Sequence, residues 1–315
     1  MSEEFPAVTA VLSAPAGRLS PAVDVRFDAA RESVRQFVRA RVDDTVVFTR
    51  DAAVALDLAA RITPGDVVVL DIGQGADLLR WCAPRQGRDR ARFVPACETI
   101  EDTLVALETE LASAPASFLV VTAVSDITGE VLPIGRLASL AHRSGARILV
   151  DAAQLVGHRP VSVVSHGIDY LAFGEPGRRT DGAGVLIGRR DWFDAADVDA
   201  SPDADGVPGA IAVAEACRVL ADLGPETIGL HERRLAERLD AGLAAIGGFT
   251  PLRIFTDSTD RAGVAGYTVD GLAPPADTVR ASFGAGTTVD DIDRILDAFR
   301  ARTEQTDRTR PGVNR

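Results

Sequence analysis

Short, continuously apolar runs alternate with segments of helical periodicity through the middle of the chain. Runs without polar interruption are typical of strands that are buried on both faces of a sheet. They occupy residues 67–72, 118–124, 147–151, 170–173 and 183–187. Between them, apolar residues at 100–111 share one helical face behind Thr99, and Pro133 begins a further helix that Gly145 ends. The alternation predicts an α/β domain with a mainly parallel sheet between layers of helices.

The pattern changes near residue 194, where a stretch rich in Asp, Ala, Pro and Gly indicates a linker that extends to residue 209. Beyond it, the periodicity predicts two helices, then three short strands, then one closing helix. These elements are expected at 211–223, 225–246, 252–255, 264–269, 278–283 and 289–302. We therefore expect a large domain over residues 1–200, a smaller and shortened α+β domain over 201–303, and a polar, disordered tail over 304–315.

The charge balance is acidic, because 46 Asp and Glu residues against 34 basic residues give a net charge of −12. This balance argues against partners such as nucleic acid or an anionic membrane surface. No apolar run approaches the roughly 20 residues of a membrane-spanning helix, and Met1 begins no signal peptide. Cys82, Cys97 and Cys217 lack the spacing of metal ligands. We therefore expect reduced thiols, no metal site and a cytoplasmic protein.

All of the basic residues are arginine, and the sequence contains no lysine. This excludes every mechanism in which the chain supplies a lysine ε-amine, including Schiff-base catalysis. It also excludes a P-loop, whose lysine contacts the phosphates of a nucleotide. A composition rich in arginine and alanine is also what a GC-rich genome produces, so the absence has a compositional explanation beside a functional one.

Four motifs occur in a fixed order at the centre of the chain. They are SDITGEVLP at 125–133, ARILVDAAQLVGH at 146–158, GIDYLAF at 167–173 and GAGVL at 182–186. Together with matching segments at 46–51 and 279–282, this set resembles the class V aminotransferases, a family of pyridoxal 5′-phosphate (PLP) enzymes that includes the cysteine desulfurases. The resemblance covers about residues 20–302. It implies the fold of the fold-type I PLP transferases, with a large domain and a smaller C-terminal one.

Four residues match the motifs of the family's active site. The resemblance implies that Asp151 pairs with the pyridine nitrogen of the cofactor, that Gln154 contacts the ring hydroxyl, and that His158 lies near the pocket. Arg280 matches an arginine that binds a substrate carboxylate. Plain structural explanations compete with these roles, since Asp151 could cap the segment that follows it and Arg280 could form a surface ion pair.

The sequence departs from the family wherever the cofactor would be anchored. Gly177 occupies the position of the Schiff-base lysine. Asp51 and the two alanines after it stand in place of the family's Gly-Thr-Thr at a helix N-terminus, so two hydroxyls are lost and a carboxylate that would repel phosphate is gained. The segment Gly-Gln-Gly-Ala at 73–76 stands where the family stacks an aromatic ring on the cofactor, and Asp126 replaces an asparagine. None of the cysteines matches the nucleophile of the desulfurases.

From these changes we predict a repurposed, PLP-independent biosynthetic enzyme, with neither cofactor nor metal in the former cofactor cleft. Asp126, Asp151 and His158 are its candidate catalytic acids and bases, and Gln154 and Arg280 are its candidate substrate-binding residues. The expected reaction is an elimination, cyclisation or isomerisation of a small polar or carboxylated metabolite in specialised metabolism. This lyase or isomerase chemistry would separate the chain from conventional aminotransferases and cysteine desulfurases.

Two alternatives stay open. One is an enzyme that binds PLP, or its amine form pyridoxamine 5′-phosphate (PMP), without a covalent bond; Asp151 and Gln154 favour it, whereas Gly177 and Asp51 do not. The other is a non-catalytic relative that partners an active family member. By analogy with the family, we expect a homodimer that binds a small molecule and binds neither nucleic acid nor membrane.

Overall fold

The chain folds around two β-sheets, each of which is covered by its own helices. The computed structural model describes residues 21–62, 65–73, 90–174, 183–195, 207–270 and 278–309. The strands in these residues are β1 (Asp44–Thr49), β2 (Val67–Asp71), β3 (Ala91–Pro95), β4 (Phe118–Thr122), β5 (Arg147–Asp151), β6 (Tyr170–Gly174), β7 (Gly184–Arg189), β8 (Phe249–Pro251), β9 (Val264–Val269) and β10 (Thr278–Ser282). The helices are α1 (Pro21–Phe37), α2 (Ala52–Ile62), α3 (Ile100–Ser113), α4 (Ile134–Arg143), α5 (Arg190–Ala195), α6 (Val207–Leu223), α7 (Pro225–Ile246) and α8 (Val289–Thr309).

Within the described residues, seven strands form the larger sheet in the order β1-β7-β6-β5-β4-β2-β3. Strands β3, β2, β4, β5 and β6 run parallel, and β7 and β1 extend the sheet through antiparallel pairings. The prediction of a mainly parallel α/β sheet is confirmed. Asp151 pairs in register with Thr122 of β4 and with Ala172 of β6, so the carboxyl ends of these strands meet at one edge. Open α/β sheets bind their ligands outside this edge.

Alternate side chains of the apolar runs pack on opposite faces of the larger sheet. In β4, Leu119 and Val121 belong to a core cluster that includes Leu137 of α4. Phe118 and Val120, from the same strand, pack on the other face with the buried side of α2. Both faces of the strand are therefore covered, which explains why its sequence is continuously apolar and does not alternate with polar residues.

The smaller sheet has the order β10-β9-β8, and both of its pairings are antiparallel. Helices α7 and α8 cover it, since Leu235 and Leu239 of α7 and Leu296 of α8 share a buried cluster with Tyr267 of β9. Helices packed on one side of an antiparallel sheet are an α+β arrangement. No helix in the described parts of the chain combines the length and the apolar character that a membrane crossing requires.

The strand expected at 252–255 is displaced in the structure. Strand β8 lies at Phe249–Pro251 instead. The backbone N–H groups of Ile254 and Phe255 bind the carboxylate of Glu130, at 2.6 and 3.0 Å, and therefore do not pair with a neighbouring strand. Phe255 is thus buried and Ile254 partly buried against the larger sheet, whereas Leu252 still donates its N–H to the carbonyl of Gly266 in β9 at 2.8 Å.

Two other boundaries also differ from the sequence prediction. Helix α8 continues to Thr309, past the tail boundary expected at residue 304. Its last turns contain neither glycine nor proline, so nothing in the sequence stops the helix before Pro311. Helix α6 begins at Val207, inside the stretch expected to be a linker, and residues 196–206 of that stretch lie outside the described residues.

A tight loop after β4 joins the two sheets. Gly129 has a φ of +76°, and a Cβ at this position would overlap the carbonyl oxygen of Val264 in β9. The carbonyl of Gly129 accepts the N–H of Ala262 at 2.8 Å. Glycine is the residue that tolerates both the left-handed backbone and the close approach.

We therefore expect Gly129→Ala to lower the free energy of unfolding by about 2 kcal/mol, because backbone strain and steric overlap both oppose a side chain. Urea denaturation followed by circular dichroism measures the change. Gly135→Ala in α4 is the matched control, since an added Cβ there meets no atom within 4 Å and alanine favours a helix. Equal destabilisation of the two variants would contradict the role assigned to Gly129.

Candidate active site

A buried carboxylate lies at the carboxyl edge of the larger sheet. Asp151 is the last residue of β5 and is 8% exposed. Its Oδ1 accepts the N–H of Ala153 at 3.0 Å, which begins the turn that carries the half-buried Gln154. A carboxylate is costly to bury and is retained where it has partners. The structure therefore places Asp151 and Gln154, two of the predicted site residues, together at the end of one strand.

The loop after β4 brings a second pair of predicted residues together. Ser125 Oγ accepts the N–H groups of Ile127 and Thr128, at 3.3 and 3.1 Å, and so turns the chain at the half-buried Asp126. Arg280, in β10 of the smaller sheet, donates from Nη1 to the backbone carbonyl of Asp126 at 2.7 Å. The exposed side chain of Arg280 therefore reaches from the smaller sheet to the loop after β4.

His158 has a different environment from the other predicted residues. Its Nδ1 lies 2.6 Å from Oε1 of Glu232 in α7. The ring packs on Gly263, where a Cβ would overlap it. Glu232 is 0% exposed and also accepts Nη1 of Arg159 at 2.9 Å. His158 thus links the end of the Asp151 turn to the helices of the smaller sheet.

The N-terminus of α2 lies at the same edge as Asp151. A Cβ built on Gly174, the last residue of β6, would lie 3.1 Å from Cβ of Ala52 in the first turn of α2. Strand β6 is the neighbour of β5, so about 4.8 Å separates the two strands. The free N–H groups of a helix N-terminus are a ready site for phosphate. Here Oδ1 of Asp51 accepts the N–H of Val54 at 2.8 Å, so the chain caps this helix itself.

These residues fit the ring of PLP better than its phosphate. The buried carboxylate of Asp151 and the amide of Gln154 suit a protonated ring nitrogen and a ring oxygen. At the phosphate end, Asp51 adds a negative charge whose partner, Arg50 at 3.2 Å, is itself exposed. A phosphate at the N-terminus of α2 would displace this cap or lie beside it. The cleft therefore offers a site for the ring and opposes the phosphate.

The cysteines in the described residues differ in their environment. Burial raises the pKa of the Cys217 thiol in α6 to about 12, which suppresses the nucleophilic thiolate. Cys97 is half-buried, and its backbone N–H donates to Thr103 Oγ1 at 2.9 Å. Among the residues that the structure describes, no group of three or more His, Cys, Asp or Glu side chains could hold a metal ion. Gly177, positions 74–76 and Cys82 lie outside the described residues.

Two buried glutamates lie near the predicted residues but were not among them. Glu130 is 0% exposed, and its carboxylate binds the backbone of Ile254 and Phe255, 124 and 125 residues further along the chain. Glu232 is equally buried against the Asp151 turn. The available signal for Glu130 was its place inside the motif at 125–133. For Glu232 the signal was its place on a face of α7 that also carries apolar residues.

Solved structures of cysteine desulfurases share this fold. A cysteine desulfurase from Thermococcus onnurineus superposes with a TM-score of 0.77 at 22% identity, covering 92% of this chain and 86% of that one. The cysteine desulfurase CsdA from Escherichia coli gives a TM-score of 0.76 at 23% identity, covering 95% and 91%. The expected fold, that of the fold-type I PLP transferases, is confirmed.

Curated relatives are similar to the chain at modest identity. The cysteine desulfurase CsdA of Escherichia coli is 27% identical over 330 residues, which cover 87% of this chain and 82% of that protein. A probable cysteine desulfurase of Mycolicibacterium paratuberculosis is 25% identical, and a cysteine desulfurase of Synechococcus elongatus is 28% identical. Each match covers 79% of this chain but only 40% and 44% of the relative, so the chain spans less than half the length of these two proteins.

These relatives contradict three of the predictions drawn from the sequence. They are named cysteine desulfurases, which opposes the prediction that the chain is set apart from that group. They likewise oppose PLP-independent lyase or isomerase chemistry and a cleft without a cofactor. The prediction gave the missing lysine and the Asp51 cap more weight than the retained Asp151 and Gln154. A missing lysine removes a covalent bond to the cofactor, but it leaves the groups that would bind the ring in place.

The family assignment rests on a long continuous match. The model of the family described as aminotransferase class-V matches residues 9–198, which include the whole of the larger sheet and the turn with Asp151 and Gln154. The remaining residues contribute the smaller sheet, whose Arg280 reaches the loop after β4. The chain belongs to the aminotransferase class-V family.

Proposed function

We propose that the chain binds PLP or PMP without a covalent bond at the carboxyl edge of the larger sheet, and that with PLP it acts as a cysteine-desulfurase-like enzyme on a small amino acid. The observation that carries the proposal is Asp151, a buried carboxylate beside Gln154 at the end of β5. The relatives named cysteine desulfurases support the activity. Because the sequence contains no lysine, hydrogen bonds and charge alone would hold the cofactor.

Four of the five predicted site residues have a separate task in this proposal. When bound, PLP supplies an electron sink for the α-carbon of an amino acid. Asp151 would keep the ring nitrogen protonated, and the amide of Gln154 would donate to a ring oxygen. Arg280 would exchange its bond to the Asp126 carbonyl for a bidentate contact with the substrate carboxylate. Asp126 is half-buried and binds Arg280 through its backbone carbonyl, and its carboxylate is the candidate proton acceptor.

An assay with L-cysteine tests the activity. The purified chain is incubated with excess PLP and then with L-cysteine and excess dithiothreitol, which takes the sulfur from the substrate and releases it as sulfide while it is oxidised to its disulfide, and alanine and sulfide are quantified. Equal amounts of the two products, formed in proportion to the protein, would support the proposal. Cofactor binding without alanine formation would exclude the desulfurase activity. Neither binding nor turnover, with stable capture of a co-expressed family member, would favour the non-catalytic partner instead.

Asp51→Ser is expected to strengthen the binding of PMP by roughly fivefold. Serine retains an N-cap for α2 but removes the charge beside the phosphate, an effect of about 1 kcal/mol. Isothermal titration calorimetry measures the affinity. Pyridoxamine, which has no phosphate, is the matched control ligand and should bind both proteins equally. A similar gain in affinity for pyridoxamine, or no gain for PMP, would contradict the proposal that the phosphate lies near the N-terminus of α2.

We also propose, from the family relationship alone, that the chain forms a homodimer in the cytoplasm. Size-exclusion chromatography with light scattering should give twice the monomer mass at micromolar concentration. A monomer over the whole concentration range would contradict the dimer.

A further inference from the structure

A fully buried carboxylate joins the two sheets behind the cleft residues. Glu232 lies in α7 and is 0% exposed. Its Oε1 is 2.6 Å from Nδ1 of His158, and its Oε2 accepts Nη1 of Arg159 at 2.9 Å. Removing Arg159 would leave this buried carboxylate without its arginine partner. Both partners belong to the end of the turn that begins at Asp151.

Arg159 extends this contact to a second point. Its Nη2 donates to Oδ1 of Asp260 at 3.0 Å and also to the backbone carbonyl of Arg261. Its Nη1 additionally donates to the carbonyl of His158 at 2.9 Å, within its own turn. Arg159 is only 8% exposed and Glu232 is fully buried, so solvent screens the bond between these two residues little, whereas the side chain of Asp260 is 48% exposed. The turn is therefore attached both to α7 and to the segment that leads into β9.

The residue beside Glu232 contacts the loop that follows β10. Nε2 of His231 lies 2.7 Å from the backbone carbonyl of Thr287. Thr287 closes that loop, since its Oγ1 accepts the N–H of Gly284 at 3.0 Å and its own N–H donates to the Gly284 carbonyl at 2.9 Å. Strand β10 carries Arg280. Adjacent residues of α7 thus contact the turn with Gln154 and the loop that follows the strand with Arg280.

We infer that Glu232 is a positioning residue that sets, through His158 and Arg159, where the turn with Gln154 lies relative to Arg280. A buried ion pair adds little net stability over apolar side chains of the same volume. The effect assigned to Glu232 is therefore the position of the turn rather than the stability of the fold. The measurement of PMP binding below rests on the proposed function. The backbone measurement below needs no ligand.

Hydrogen exchange of the chain without cofactor tests the inference first. Glu232→Gln keeps the size of the side chain and removes its charge. Asp240→Asn is the matched control, because Asp240 lies on the same helix and pairs with Arg261 and the Tyr267 hydroxyl rather than with the turn. We expect exchange of the amides at 153–159 to rise about tenfold in Glu232→Gln and to stay unchanged in Asp240→Asn. Unchanged exchange in Glu232→Gln, or an equal rise in both variants, overturns the inference.

PMP binding provides the second measurement. We expect Glu232→Gln to weaken binding about tenfold and Asp240→Asn to leave it unchanged. If the wild-type chain bound no PMP while exchange in the turn still rose, the proposed function would fail and the positioning role would stand. If Glu232→Gln does not fold, His158→Gln carries both measurements, since glutamine retains a donor for Glu232 but lacks the ring that packs on Gly263. Unchanged exchange and affinity in His158→Gln would overturn the inference.

Discussion

Asp151→Ala is expected to weaken the binding of PMP by about a hundredfold. A hydrogen bond between charged groups in a buried site contributes about 1.5–3 kcal/mol, and each 1.4 kcal/mol corresponds to about a tenfold change in affinity. Asp151 is the buried carboxylate at the carboxyl edge between β4 and β6, and its loss would remove the charge that favours a protonated ring. Isothermal titration calorimetry measures the affinity of both proteins.

Asp71→Ala is the matched control for this experiment. Asp71 also ends a strand of the same sheet, and its Oδ1 accepts the N–H of Gly73 at 2.8 Å, much as Asp151 accepts that of Ala153. Removing Asp71 disturbs an equivalent turn, the one that leads to the family's ring-stacking position at 73–76, but removes no charge from beside the ring nitrogen, so PMP affinity should fall far less than in Asp151→Ala. An equal loss of affinity in the two variants would show that PMP binding depends on the conformation of the turn and not on the charge of Asp151.

Glu130→Gln is expected to lower the free energy of unfolding by about 3 kcal/mol. The carboxylate of Glu130 accepts two backbone N–H groups, from Ile254 and Phe255, and is 0% exposed. A glutamine amide has one oxygen and one donor group, so one buried N–H would lose its acceptor and face another donor. Leaving such a group unpaired costs about 1–3 kcal/mol, beyond the loss of the charge-assisted bond. Urea denaturation followed by circular dichroism measures the difference.

Glu101→Gln provides the matched control for Glu130. Glu101 forms a bidentate ion pair with Arg136, at 2.6 and 2.7 Å, but its side chain is 66% exposed. Exposed pairs of this kind contribute little to stability, so the midpoint of unfolding should hardly move. If Glu130→Gln lowered the free energy of unfolding as little as Glu101→Gln does, the buried carboxylate would not stabilise the loop after β4.

Much of the larger sheet could be predicted because its signals are local. Strand β5 begins and ends at the predicted residues, and helix α7 does so as well. In both, the apolar pattern and the flanking glycine or proline lie within a few residues of the boundary. Strand β8 was misplaced because the backbone at Ile254 and Phe255 binds a glutamate far away in the sequence, and no local pattern contains that information.

The candidate site could be predicted only in part, for the same reason. The motif at 146–158 identified Asp151 and Gln154, which the structure places together. It also identified His158, but not its buried partner Glu232, 74 residues further along the chain. The missing lysine was visible in the composition, yet composition alone could not show that a buried carboxylate remains at the strand end. The relatives named cysteine desulfurases, rather than the residue count, oppose the prediction of a cleft without a cofactor.

Titration of the purified wild-type chain with PLP, followed by borohydride reduction, tests the central claim most directly. Non-covalent binding predicts a saturable change in the absorbance of the cofactor. It also predicts that, after reduction and gel filtration in denaturant, the chain carries no covalently attached cofactor. No lysine is present to form that bond. No saturable change at millimolar PLP, or a reduced adduct mapped to a residue of the cleft, would contradict the claim.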